Sequence, residues 1–221
     1  KSNKLGMDMQ ICLYDPNSKK TYKINSPFKF NGKNWIPISG LNSLIFIYCI
    51  NPLIILKVVD LNKGKMKAIT KVEKKFKPNW NTQDLNLSFV GSQRGGCPMV
   101  KVGNSKYLGI GHSVKYFLKS FKQLGATQRA YIYFFDFKKK IYYTNYLTNN
   151  KIGGLYCFGA ELARNTNMIK FYFSFSSTFN EYIISNIYLF NVELDKEKLI
   201  RIAKRGTKKK IDFISGVKEI K

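Results

Sequence analysis

The chain has 221 residues, 44% hydrophobic and 15% aromatic, which is enough to bury a core and excludes a disordered chain. It carries 38 Lys and Arg against 13 Asp and Glu, a formal charge of +25, and such a field attracts nucleic acid, anionic lipid or acidic glycan. The lysines are scattered, and Lys, Asn, Ile, Phe and Tyr all have AT-rich codons, so coding bias is a competing account of the charge.

The apolar residues are mostly Ile, Phe, Tyr, Val and Leu, with little Ala, which favours strands. Residues 1–10, KSNKLGMDMQ, are polar and do not read as a signal peptide. Residues 41–59, LNSLIFIYCINPLIILKVV, are nearly uncharged, so a membrane span is one reading. Asn51-Pro52 interrupts the run, and two buried strands joined by a turn fit better, so no transmembrane segment is expected.

A repeat follows from here. Strand pairs recur at 43–69, 107–147 and 168–194, with first strands centred near Tyr48, His112 and Phe175, about 64 and then 63 residues apart. A finer signature accompanies them: an apolar run ending in Asp, a polar turn, then another strand. It occurs at Asp15, Asp60 and Asp136, with Asn191 as a weaker fourth copy. Equivalent repeat positions mark these aspartates as hairpin structure rather than acid–base groups. Units of about 60 residues with three or four strands suit β-propeller blades; a β-sandwich is the alternative. About three and a half blades are expected over 1–194. Residues 195–205 read as a short helix, and 195–221 form the C-terminal helix and basic tail.

Cys12, Cys49, Cys97 and Cys157 are far apart, with no C-x-x-C. His112 is the single histidine, too little for a His/Cys zinc site, so no metal is expected. Buried free thiols in a reducing compartment are expected; distant disulfides stay open. No P-loop, dinucleotide fingerprint, zinc finger or RNA-recognition signature occurs, and no cofactor is implied.

The succession GKNWIPI (32–38), FIYCINPLIIL (46–56), RGGCPMV (94–100), YLGIGHSV (107–114) and RAYIYFFDF (129–137) resembles five-bladed β-propeller proteins related to glycoside hydrolase family 130 and β-mannosyltransferases. Similar sequences are encoded by giant DNA viruses. The Arg-Gly-Gly-x-Pro … Tyr-Leu-x-x-x-His spacing is the most specific part. The resemblance implies a central pocket lined by Arg94, Cys97 and His112, with Lys33, Asn34 and Trp35 on the neighbouring blade. Gly95-Gly96 would admit a ligand close to the backbone, Arg94 would grip a phosphate, and Trp35 would stack on a sugar. The family carries Thr where Cys97 stands, and its general-acid aspartate falls upstream of Lys1. Glu161 is the remaining catalytic candidate, with an ion pair to Arg164 as the structural alternative.

Three functions follow as expectations. The chain is a glycosyltransferase, glycoside phosphorylase or glycosidase acting on a glycan or sugar phosphate. Or it is a carbohydrate-binding propeller without catalysis. Or it is a basic structural or binding protein of a large assembly, a virion or RNA-containing particle, with partner subunits and a polyanion as ligand. Cytoplasm or virion is the implied location.

Overall fold

A computed structural model describes residues 11–25, 27–28, 35–38, 43–71, 93–120, 123–147, 156–163, 166–180 and 183–215, with side chains for all but 93–94, 114–120, 123–129, 176–180 and 183–187. These residues are all-β apart from one short helix, as expected. They form four antiparallel sheets in chain order. The first pairs β1 (Ile11–Asp15) with β2 (Lys20–Ile24). The second is a meander of β3 (Ile36–Pro37), β4 (Ile45–Ile50), β5 (Leu53–Asp60) and β6 (Lys65–Ala68).

The third sheet runs through β7 (Gln93–Arg94), β9 (Lys106–Ser120), β10 (Gln123–Asp136) and β11 (Ile141–Tyr146), with β8 (Val100–Gly103) also paired to β9. The fourth holds β12 (Tyr156–Leu162), β13 (Met168–Asn180) and β14 (Ile183–Asp195). Helix α1 (Lys196–Lys204) follows, and then β15 (Thr207–Lys210) returns to the edge of the third sheet.

The sequence repeat has a physical basis in the turns. Asp15 Oδ1 accepts the Asn17 N–H at 3.0 Å, Asp60 Oδ1 the Lys63 N–H at 3.0 Å, and Asp136 Oδ1 the Lys139 N–H at 3.0 Å. Four residues after each aspartate the backbone turns left-handed, at Lys19 (φ 54°), Gly64 (φ 61°) and Lys140 (φ 52°). Each aspartate thus satisfies an N–H inside a turn that feeds the next strand. Asn191 does not do this: it lies within β14, paired with Tyr172. The strand runs on to Asp195, whose Oδ1 accepts the Lys198 N–H at 2.6 Å and caps α1.

The sheets stack face to face with three apolar layers between them. Ile24, Trp35, Phe46, Tyr48, Ile54 and Leu56 fill the layer between the first and second sheets. Ile45, Ile47 and Ile55 meet Tyr107, Tyr131, Tyr133 and Phe135 between the second and third. Leu108, Ile110, Ile132 and Phe134 meet Cys157, Ile169, Phe171 and Phe173 between the third and fourth, where α1 adds Leu199, Ile200 and Ala203.

Residues 45–50, 54–56, 107–110 and 130–135 are therefore buried on both faces, so 45–50, 54–56 and 130–135 read as unbroken apolar runs rather than alternating ones. That is why 41–59 looked long enough to span a membrane. Its residues 45–59 belong to the β4–β5 hairpin, which turns at Asn51-Pro52. No helix among the described residues is long and apolar enough to cross a membrane.

Candidate functional site

The pair expected at the pocket is brought together. Arg94 and His112 are register partners across β7 and β9. His112 is 4% exposed, on the face of β9 turned towards the fourth sheet, and its ring meets the Tyr156 ring edge-on at 5.0 Å. Burial raises the Tyr156 hydroxyl above its ordinary value of 10.0.

The turn between β7 and β8 packs inward. An added Cβ at Gly96 would lie 2.7 Å from the Cys157 carbonyl oxygen and 2.8 Å from that of Ile110. Its missing side chain lets two backbones meet, so the close approach expected for a ligand is made by the chain itself. Cys97 follows with no exposure: Ile110 N–H donates to its Sγ at 3.4 Å, and Tyr133 Oη donates to its carbonyl at 3.0 Å. The Cys157 thiol hydrogen-bonds Cys97, which lowers Cys97 and, with burial, pushes Cys157 up. All four described cysteines are free thiols.

Trp35 is set elsewhere. It packs against Tyr48 at 5.6 Å and Phe46 at 6.1 Å, in the layer between the first and second sheets. Cys97 lies in the layer between the third and fourth. Glu161 lies on β12, exposed, and accepts a short hydrogen bond from the Tyr172 hydroxyl. That bond raises the Tyr172 hydroxyl above its ordinary value. Strand alternation puts Glu161 on the opposite face from Ala160, hence away from the layer holding Cys97. Lys33, Asn34 and Arg164 lie outside the described residues.

A second constellation is built from the C-terminus. Within the expected basic tail, Thr207–Lys210 form strand β15, paired antiparallel to β11: Ile141 opposite Lys210, Tyr142 opposite Lys209, Tyr143 opposite Lys208. The Ile211 N–H donates to the Lys140 carbonyl at 2.8 Å, so residues 208–210 abut the turn carrying Lys138, Lys139 and Lys140. Gly206 makes the pairing reachable, since a Cβ there would fall 2.1 Å from the Thr144 carbonyl oxygen.

Helix α1 lies beside this edge. It buries Leu199, Ile200 and Ala203, at helical spacing, and leaves Arg201, Lys204 and the following Arg205 exposed. Lys204 Nζ sits 5.6 Å from the centre of the Phe134 ring. Phe134 pairs with Tyr143 and Tyr143 with Lys208, so Lys204 and Lys208 share one face of the third sheet. Lys208 and Lys210 are exposed, as are the three turn lysines.

The signal for β15 was present as alternation, Lys209, Ile211 and Phe213 being the inward positions, but the lysines masked it. Comparison with protein-family models, with curated proteins and with solved structures finds no match.

Proposed function

We propose that the chain is a basic binding protein whose ligand is a polyanion, a nucleic acid or an acidic glycan. One observation carries the reading: the turn lysines 138–140 and the lysines of β15, some 70 residues apart in sequence, are joined at one sheet edge by the β11–β15 pairing and flanked by α1. Gathering like charges costs stability, and an anion offsets that cost. Each phosphate neutralised releases counterions, so the cations act together.

The sheets are read as blades of an open or closing five-bladed ring. Successive inner strands touch in support of this: Ile38 bridges Met99, and Gly96 abuts Cys157. Four free thiols support a reducing setting, cytoplasm or virion, in which the protein serves a large assembly. The test is retention on heparin and on RNA across a salt series. Elution well above physiological salt, lowered by Lys208→Glu with Lys210→Glu, is expected; elution at or below physiological salt would leave coding bias as the account of the charge.

The register of Arg94 against His112 favours a second reading, a carbohydrate-active propeller binding a sugar phosphate beside β7. Calorimetric titration with sugar phosphates, on the native chain and on Arg94→Ala, tests it. No heat with the native chain would remove it.

A further inference from the structure

The fourth sheet is a strand short of the second. Where a fourth strand would pair with β14, the chain turns into α1 and returns to β11 instead. Among the described residues β14 is therefore an edge, and its run Ile183–Val192 contains no charged residue in a chain of +25. The corresponding last strands of the second and third sheets carry lysine: Lys65 and Lys67 in β6, Lys208 to Lys210 in β15. Lysine is the usual guard of an exposed edge, and here it is missing.

What β14 shows instead is aromatic. Phe190 is 42% exposed and stacks on Phe173 of β13, with ring centres 5.4 Å apart and planes at 16°. Tyr188 is 54% exposed, with its ring centre 6.5 Å from that of Phe175. The register pairs Phe173 with Phe190 and Phe175 with Tyr188, so all four rings share one face. On that same face, nearer the end of β14, Val192 and Leu194 pack into the layer that α1 covers. The aromatic face thus begins where the basic helix stops covering the sheet.

We infer that this face binds the bases of a single-stranded nucleic acid, while the cations of α1 and β15 take its phosphates. The inference rests on the polyanion reading and selects one ligand class within it. Flat rings about 7 Å apart along a strand suit successive unstacked bases. A basic surface beside aromatic faces is the arrangement by which proteins hold single strands without reading sequence. An acidic glycan such as heparin would use the cations, and its sulfated rings present charge rather than a flat apolar face to the aromatic side chains. Duplex DNA keeps its bases stacked inside, so it too would engage the cations alone.

The test uses the full chain and fluorescence anisotropy with labelled oligothymidylate, a duplex and heparin, each at low salt. Tyr188→Leu and Phe190→Leu keep apolar volume and remove the ring. Each is expected to weaken oligothymidylate binding roughly 5- to 100-fold and leave heparin binding unchanged. Leu189→Ala, 71% exposed on the opposite face, is expected to change neither. Circular dichroism confirms that the variants fold; Tyr188, being half in solvent, keeps the test open if Phe190→Leu does not. Equal oligothymidylate affinity in the native chain and Tyr188→Leu, with heparin still bound, would overturn the inference and leave the polyanion reading standing. A native chain that binds none of the three probes overturns both.

Discussion

Lys209 Nζ donates a 2.8 Å hydrogen bond to Asn51 Oδ1, joining β15 to the β4–β5 turn across 158 positions. The Tyr142 hydroxyl donates to the neighbouring Ile50 carbonyl at 3.1 Å, so two side chains from the third sheet hold one turn of the second. Replacing Lys209 by Met keeps the stem and removes the donor. We expect a loss of about 1 kcal/mol, since a hydrogen bond to a charged group contributes about 1.5–3 kcal/mol when buried and this one is partly open. Urea midpoints of Lys209→Met, Asn51→Ala and the double variant give the coupling. Strict additivity would mean that the contact contributes nothing.

Gly96→Ala is expected to cost more. The new Cβ meets two carbonyl oxygens at 2.7 and 2.8 Å, and both belong to backbone that cannot step aside. Overpacking of this kind costs about 1–3 kcal/mol. Chemical denaturation should show an earlier midpoint with an unchanged slope; an unchanged midpoint would mean the two backbones are not held this close.

The thiols should label in a definite order. Cys12 is exposed, Cys49 half-buried, Cys97 and Cys157 buried. Burial pushes the Cys49 thiol up to about 11 from an ordinary 9.0, leaving about 100-fold less thiolate at neutral pH. Iodoacetamide followed by peptide mass spectrometry should therefore modify Cys12 first, Cys49 slowly, and the buried pair only after unfolding. Early labelling of Cys97 would show that the turn behind β7 opens readily.

Acid should weaken the C-terminal helix through Asp195. Its carboxyl is held below the ordinary 3.8 by the Lys198 N–H and by Asn167. A depressed carboxylate stabilises the folded state fully above the unfolded value and loses that contribution as pH falls through the folded one. Asp195→Ala should thus melt earlier than the native chain at pH 7, and the gap should close below pH 3.8. A gap that persists under acid would assign the effect to packing.

Much of the architecture was legible because it is local. An aspartate, a polar turn and an apolar strand sit within ten residues at Asp15, Asp60 and Asp136, and hydrogen bonds of the same span fix each turn. Left-handed Lys19 and Lys140 were not legible, since only the equivalent Gly64 advertises that conformation. The site was harder. Gly95-Gly96 reads equally as a ligand turn or as a packing turn, and only the position of Cys157, some 60 residues on, decides for packing. The resemblance puts Trp35 at a pocket, while its contacts are Phe46 and Tyr48 in the next strand. The register of Arg94 with His112 skips over β8 and its turn, so it was not legible from a local turn signal.

Because β15 completes a sheet whose other strands end at Tyr146, that sheet is finished only after the whole fourth sheet has been made. On a ribosome, the edge of β11 waits unpaired while some sixty residues emerge, and the long hairpin of β13 and β14 has time to form first. Closing so long a loop slows the final step, as distant contacts do. The two sheets should then melt as one cooperative unit rather than sheet by sheet. A protease cut between α1 and β15, inside the basic surface, would release both β15 and its grip on Asn51.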